Sequence, residues 1–260
     1  MWGEGCIDIC NFGISIKNTR LRLKLALNSF YYIIYILVLA LIVIFTIHRK
    51  IRLWKKYRQV TNRRRGAKSE RKLVRMLIQL KVPTETIFHD LYVIKPNGKY
   101  SQIDLVIATT QGLIVFEVKE YSGWIFGNAG YTNWTQVLAG GKVKHHFFNP
   151  IKQNQGHIKA LRNLSPQFSR LPIFSVIVFY GKCELKAIDY IPQDTFVTVP
   201  KKVKQVLRQI KKKNDPAKFS SKREVVKLLK AAVENGESPS IAPKHHAEIK
   251  ELTGKERLFK

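Results

Sequence analysis

The stretch QIDLVIATTQGLIVFEVK, residues 102–119, determines the fold that we expect for this chain. Two apolar runs flank the dipeptide Gln111-Gly112, whose glycine is typical of a turn, and they predict two strands at residues 100–109 and 113–119. Both runs are apolar on both faces, which is typical of strands in the interior of a sheet. The short connection makes the two strands neighbours, so residues on one strand lie beside residues on the other.

Three charged residues interrupt these apolar strands. Asp104 lies inside the first run, and Glu117 and Lys119 end the second. Glu117 and Lys119 are two residues apart and therefore share a face of the sheet. Taken singly, each is also explained by a structural hydrogen bond or an ion pair.

Together, the three residues predict a metal site. The tight turn lets Asp104 and Glu117 converge, and two carboxylates supply the oxygen ligands that Mg²⁺ or Mn²⁺ prefers. A metal ion bound there activates water and neutralises charge on a phosphate. Lys119 is then placed to stabilise developing negative charge or to position the attacking water.

Glu70 is a further carboxylate in an apolar setting. It lies at the centre of the stripe formed by the apolar residues of a predicted helix at residues 66–80, because those residues follow it at helical spacing. A buried carboxylate needs a partner, whereas one in the first helical turn is favoured by the helix dipole. Both interpretations of Glu70 are open on this helix alone.

The remaining predicted elements indicate the fold class. Helices and strands in the order helix, three strands, helix, two strands, helix predict an α/β domain with a central sheet covered by helices. Besides those already given, they are a strand at 86–94, short strands and loops over 121–148, a helix at 149–164, strands at 172–180 and 195–199, and helices at 201–213 and 221–234.

Short motifs follow one another in a fixed order between residues 66 and 180: Gly66-Ala-Lys-Ser-Glu70, Gln102-Ile-Asp104, Glu117-Val-Lys119 with Tyr121 and Gly123, then Gly127, Trp134, and Asn149-Pro-Ile-Lys-Gln153 with His157 and Leu161. This order resembles the nuclease-related domain (NERD) family of the PD-(D/E)xK nuclease superfamily.

The resemblance implies a restriction-endonuclease-like fold with a central mixed sheet, and Mg²⁺-dependent cleavage of nucleic acid. It implies a catalytic set of Glu70, Asp104, Glu117 and Lys119, with Gln153 shaping the pocket. His157 is interpreted as a packed helix residue, and Trp124 and Trp134 as core residues. The pattern departs from the family at Ser69, Leu105 and Glu120, none of which is a predicted ligand.

An apolar segment at residues 30–47 predicts a transmembrane helix. It carries no formal charge, and a spanning helix needs about 20 apolar residues. The alternative is a cleaved signal peptide, but such peptides have a shorter apolar region that ends in a small-residue cleavage site. No such site precedes the basic residues at 48–50, which favours an anchor.

Basic residues on the two sides of this segment predict its orientation. Lys17, Arg20, Arg22 and Lys24 precede it, whereas nine basic residues follow it within 49–65. The positive-inside rule therefore predicts a single-pass protein of the cell membrane whose C-terminal domain is cytoplasmic. The expected layout is an extracytoplasmic segment at 1–29, the span at 30–47, a basic segment at 48–65 that contacts anionic lipid, the nuclease-related domain at 66–213, and a C-terminal helix and mobile tail at 214–260.

The composition indicates a polyanionic partner. Lys and Arg number 46 against 18 Asp and Glu, a formal net charge of +28, and such an excess favours nucleic acid or an anionic membrane. The predicted helix at 201–213 is basic outside its apolar stripe, so Lys211, Lys212 and Lys213 are candidates for contacts to a phosphate backbone. A solvated helix face is the alternative. The three cysteines form neither a disulfide framework nor a zinc pattern.

Three functions follow from these observations. The first is a metal-dependent nuclease acting on DNA or RNA at the membrane. The second is a nucleic-acid-binding module with little activity that tethers DNA or RNA there. The third is a lipid-facing structural protein, which has no need of carboxylates in apolar strands. Retention of Glu70, Asp104, Glu117 and Lys119 favours the first.

Overall fold

The structure of the protein is a computed structural model that describes residues 5–243, 245 and 247, with their side chains from residue 28 onward except at 29 and 139. The predicted C-terminal tail beyond residue 247 and the side chains of Lys17, Arg20, Arg22 and Lys24 lie outside this part of the chain. The described chain divides into two compact units, residues 1–55 and 56–260.

The N-terminal unit belongs to one long helix, α1 (Gly5–Val60). It contains the segment Phe30–Val60, which is long and apolar enough to cross a membrane. Its large apolar side chains are exposed, for instance Tyr32 and Phe45. Residues 14–60 contain no Gly or Pro, so no residue in this stretch breaks the helix before it ends at Val60.

The second unit is a mixed α/β domain, as predicted. Its central sheet has the order β1-β2-β3-β7-β9, with β1 to β3 antiparallel and β3, β7 and β9 parallel. These strands are β1 (Ile87–Ile94), β2 (Tyr100–Thr109), β3 (Gly112–Glu120), β7 (Ile173–Tyr180) and β9 (Thr195–Thr198).

A second, smaller sheet follows β3 in the chain. Its order is β6-β5-β4-β8, and its strands are β4 (Gly123–Asn128), β5 (Asn133–Leu138), β6 (Val143–Phe148) and β8 (Cys183–Asp189). Strand β8 pairs parallel to β4 and was not expected from the sequence. Charged residues alternate along it, so it lacks the apolar run that marks a buried strand.

The helices of this unit are α2 (Lys68–Gln79), α3 (Pro150–Arg162), α4 (Pro166–Arg170), α5 (Val203–Lys213) and α6 (Lys222–Glu237). Helix α3 is joined to the central sheet by Asn154, whose buried amide donates to the Val115 carbonyl at 3.0 Å and to Ser175 Oγ at 2.8 Å. Helix α6 buries Val225, Leu229 and Ala232 in the same core as β1 and β2. The region after residue 213 therefore contributes to the packed domain.

A separate small core joins the two sheets. Trp134 is 1% exposed and stacks on Phe179, with ring centroids 6.0 Å apart and planes at 5°. Gly127 lies against the Trp134 ring, where an added Cβ would collide with it. The glycine and the tryptophan of the sequence motif therefore form one packing unit.

Asn149 fixes the start of α3. Its side-chain oxygen accepts from the amide of Ile151 at 2.9 Å, and its Nδ2 donates to the carbonyls of Asn128, Ala129 and Tyr131. We expect Asn149→Ala to lower the free energy of unfolding by about 2–4 kcal/mol, because the cap and the donor to three partly buried carbonyls are removed together. Denaturant unfolding of the purified protein measures this, and a decrease below about 0.5 kcal/mol, the lower end for a cap alone, would contradict it.

Candidate active site

The two strand carboxylates meet where β2 and β3 separate. The antiparallel pairing of β2 with β3 ends at the pair Leu105 and Phe116. Just beyond this pair, Asp104 is the next residue on β2 and Glu117 is the next residue on β3. Asp104 Oδ2 accepts a 2.7 Å hydrogen bond from the backbone amide of Val118. The aspartate therefore bonds directly to the backbone of β3 between Glu117 and Lys119.

Glu117, Lys119 and Gln153 form a continuous chain of contacts. Lys119 Nζ lies 2.7 Å from Glu117 Oε1 and donates to Gln153 Oε1 at 2.8 Å. Strand geometry puts Glu117 and Lys119 on one face, and α3 brings Gln153 to them from across β3. The structure thus brings together Asp104, Glu117, Lys119 and Gln153 from three elements.

His157 lies one turn after Gln153 on α3 and contacts the same glutamate. Its Nε2 is 3.2 Å from Glu117 Oε2, and its Nδ1 is 2.8 Å from Ser101 Oγ. His157 and Ser101 are buried. Each Glu117 oxygen therefore has a nitrogen neighbour, and His157 is part of the site rather than only a packed helix residue.

Glu70 contacts a second histidine. His89, which is fully buried on β1, lies 3.3 Å from Glu70 Oε2 through Nε2 and 2.8 Å from Thr61 Oγ1 through Nδ1. Gly66 adopts a positive φ of 57° beside this pair, and a Cβ there would collide with both side chains. Glu70 and His89 therefore lie at ion-pair distance, although neither Glu70 Oε2 nor His89 Nε2 makes a hydrogen bond within the described part of the chain.

The charges of the site are unequally compensated. Burial, followed by the negative charges of Glu117 and Glu70, raises the pKa of Asp104 well above its ordinary value. Burial also acts to raise the pKa of Glu117, but the contact with His157 and the charge of Lys119 outweigh it, and that pKa is lowered. Burial acts to lower the pKa of Lys119, and the charge of Glu117 outweighs it, so the pKa is raised.

The donor set fits a hard cation better than a zinc ion. Among the residues that the structure describes, no group of three or more His, Cys, Asp or Glu gathers as a metal cage. Mg²⁺ commonly uses only one or two carboxylates and keeps several waters. Excess negative charge around Asp104 is what a cation beside it would neutralise. Asp104 and Glu117 therefore suit Mg²⁺ or Mn²⁺.

The basic residues predicted to contact nucleic acid lie elsewhere. Lys211, Lys212 and Lys213 are exposed at the end of α5. Lys211 shares a groove with Thr110 and Gln111 of the β2–β3 turn, whereas Lys119 is eight residues after Gln111, at the other end of β3. At about 3.3 Å per residue, the two ends are separated by about 26 Å along the strand. The structure does not bring these lysines together with the carboxylates.

The roles of Ser101 and His157 have only a weak signal in the sequence. That signal is the spacing of four residues between Gln153 and His157, which places both on one face of a helix. The two tryptophans also differ, because Trp134 is buried as expected while Trp124 is 38% exposed. The interpretation of Trp124 as a core residue was wrong.

Comparison with known proteins agrees with the geometry. Residues 65–180 match the model of the NERD family, the nuclease-related domain. An uncharacterized protein of Bacillus anthracis is 35% identical over 125 residues, which is 48% of this chain and 57% of that protein. The match thus spans little more than half of that relative, and no solved structure matches the chain. Residues 65–180, with the converging carboxylates and lysine at their centre, are thus similar to the nuclease-related domain.

Proposed function

We propose that the protein is a membrane-anchored, metal-dependent nuclease that hydrolyses phosphodiester bonds in nucleic acid. The observation that supports this most is the convergence of Asp104, Glu117, Lys119 and Gln153 at one end of β3. A structural ion pair alone would need neither Asp104 nor Gln153. The proposed cofactor is Mg²⁺ or Mn²⁺, and the proposed partners are DNA or RNA.

Each residue has a distinct part in the proposed reaction. The carboxylates of Asp104 and Glu117 hold the cation, which when bound activates water and neutralises phosphate charge. Lys119 directs its ammonium toward the scissile phosphate, where it stabilises the charge that develops in the transition state. Gln153 holds Lys119 by accepting its hydrogen bond, and His157 orients Glu117.

Glu70 has a supporting electrostatic part in this proposal. Its carboxylate is paired with His89 rather than with Lys119, and its negative charge also acts on Asp104. It thereby increases the attraction of the cleft for a cation without being one of the two proposed ligands.

Cleavage by the full-length protein in detergent micelles tests the proposal. We expect single-stranded DNA or a structured RNA to be cut with Mg²⁺ or Mn²⁺ and to survive in chelator. The full chain is needed because α6 belongs to the core of the domain. Intact substrates of both kinds after incubation with either metal would overturn the proposal.

One observation favours a second function. Both oxygens of Glu117 already have partners, Lys119 and His157, which suits a module that binds nucleic acid with little turnover. Calorimetric titration with Mn²⁺ separates the two functions. If the protein binds Mn²⁺ and Asp104→Asn abolishes that binding, the result supports the nuclease function. If the protein binds nucleic acid but no Mn²⁺, the result supports the nucleic-acid-binding module.

The proposed location is the cell membrane, with α1 as the span and the domain in the cytoplasm. The basic side chains that follow the apolar segment support this orientation, although Arg65 is buried and donates to the carbonyls of His89 and Asp90. Arg65 thus has a structural role, and the exposed basic residues at 49–64 remain to contact anionic lipid. Protease added to spheroplasts should leave the domain intact until the membrane is permeabilised, and its digestion in intact spheroplasts would reverse the orientation.

The lysines at the end of α5 give a prediction about nonspecific binding. Val203, Val206 and Ile210 are buried and Lys211 to Lys213 are exposed, so replacing these three lysines by Ala leaves the core unchanged. Binding to duplex DNA should weaken for all sequences alike, and the salt slope should fall by about 0.9 for each phosphate that the variant no longer neutralises. Affinity measured against salt concentration checks this, and an unchanged slope would make the α5 surface a solvated helix face.

A further inference from the structure

The outer face of the second sheet carries exposed aromatic side chains. Trp124 is 38% exposed and Phe148 is 50% exposed, although both lie in regular strands. The opposite face of the sheet buries Ile125 and Trp134 in the small core. Exposed aromatics on one side of a sheet whose other side is packed form a surface that a partner can cover.

The strand register places these aromatics on one face with basic and imidazole groups. Trp124 pairs with Val137, which pairs with Lys144, and Phe126 pairs with Thr135, which pairs with His146. Directly paired residues share a face, and so do residues two apart. Phe148, two residues after His146, therefore belongs to the same face. On β8, Glu184 pairs with Trp124 and Lys186 lies over its ring, so both border this face. We call it the aromatic face: Trp124, Phe126, Lys144, His146, Phe148, Glu184 and Lys186.

The cations of this face lie among its rings. Lys186 Nζ is 5.3 Å from the centroid of the Trp124 ring. Lys186 is also paired with Glu184 at 2.8 Å, and both side chains are largely exposed. Lys144 is exposed on β6, in the same cross-strand row as Trp124. Rings that can stack on bases, beside ammonium groups that neutralise phosphates, are the two components of surfaces that bind single strands.

The chain links this face directly to the cleft. Lys119 is in β3 and Trp124 in β4, five residues later, so their Cα atoms are at most about 18 Å apart. Tyr121, between them, stacks on Phe147 with ring centroids 4.4 Å apart and fixes this connection. A single-stranded nucleic acid of a few nucleotides is long enough to reach from the aromatic face to the cleft.

We propose that the aromatic face binds single-stranded DNA and delivers it to the cleft, an inference that rests on the proposed nuclease function and assigns its substrate class. A duplex hides its base faces within the stack, so the rings have no access to them. Thr135 Oγ1 lies 3.2 Å from His146 Nδ1, so these polar groups are engaged with each other. The rings contact bases and the ammonium groups contact phosphates. Neither contact needs the 2′-hydroxyl that distinguishes RNA from DNA, so DNA supplies every group that this face recognises.

Fluorescence anisotropy with the full-length protein in detergent and chelator tests the assignment. The probes are a labelled oligo-dT of about 15 nucleotides, the oligo-U of the same length, and a duplex of the same length. Trp124→Ala and Phe148→Ala should each weaken oligo-dT binding about fivefold or more and leave duplex binding within about twofold. Trp124→Phe should retain most of the affinity, and Trp124→Leu should lose it, because leucine keeps apolar area without a stacking ring.

Ile94→Ala is the matched control, since it removes an exposed apolar side chain from the other sheet, and it should bind oligo-dT as the wild type does. Wild-type affinity of Trp124→Ala or Trp124→Leu for oligo-dT would overturn the proposal, as would tighter wild-type binding of oligo-U. Chelator removes turnover from this measurement. A protein that binds oligo-dT through these rings but cuts nothing with metal would contradict the nuclease function and leave this binding site intact.

Discussion

Asp104→Asn and Glu117→Gln should each abolish metal-dependent cleavage, with a loss of about 10³-fold or more in kcat/KM. Each substitution preserves the shape of the side chain and removes the negative charge that holds a hard cation. Asp104 Oδ2 also accepts from the Val118 amide, and an asparagine oxygen can accept the same bond. Loss of activity in Asp104→Asn therefore reports on the cation rather than on the strand.

Cleavage rates with Mn²⁺ and Mn²⁺ affinities, measured side by side, check this expectation. In Asp104→Asn the loss of a charge from the crowded carboxylates should leave thermal unfolding without metal unchanged or shifted slightly upward. Glu117→Gln should lower the unfolding temperature, because it breaks the pairs of Glu117 with Lys119 and His157. Glu237→Gln is the matched control, because Glu237 also pairs with a basic side chain at 2.8 Å but is exposed on α6, away from the cleft and the aromatic face. Equal cleavage by wild type and both site variants would mean that the site is wrongly assigned.

Lys119→Ala should lower kcat by about 10²–10³-fold while sparing most of the affinity for nucleic acid. The ammonium of Lys119 is one charge among many in a chain of net charge +28, so its share of nonspecific binding is small. Its position between Glu117 Oε1 and Gln153 Oε1 is what makes it suitable to stabilise one particular phosphate.

Gln153→Ala distinguishes positioning from direct action. Gln153 holds Lys119 without carrying charge, so its removal should lower kcat by about tenfold, less than removal of the lysine. The double variant Lys119→Ala with Gln153→Ala should be no worse than Lys119→Ala, because the glutamine then has nothing to position. Additive decreases in the double variant would show that Gln153 acts independently of Lys119.

Several elements of the fold were predictable because their sequence pattern is local. Residues 100–109 and 113–119 are apolar runs around a turn, and they form β2 and β3 with nearly the same bounds. The Asn-Pro start of α3 was likewise recognisable from its cap residue. Strand β8 was missed because its charged residues alternate on a sheet edge, where no buried run develops.

Composition and residue spacing were sufficient to predict the mixed α/β class, the apolar segment of α1 and the residues at which charge interrupts an apolar strand. These are properties of composition and spacing, and they need no knowledge of distant contacts. Periodicity also placed Glu117 and Lys119 on one face, because strand geometry fixes the direction of alternate side chains.

The partners of these residues depend on how distant elements pack in the folded domain. His157 and Glu117 are 40 positions apart in sequence, and Glu70 on α2 contacts His89 on β1. No local sequence pattern predicts either pair. The same holds for Trp124 and Trp134, whose burial depends on which face of the second sheet is packed. Side-chain environment is set by the packing of sheet on helix, which residues distant in sequence determine together.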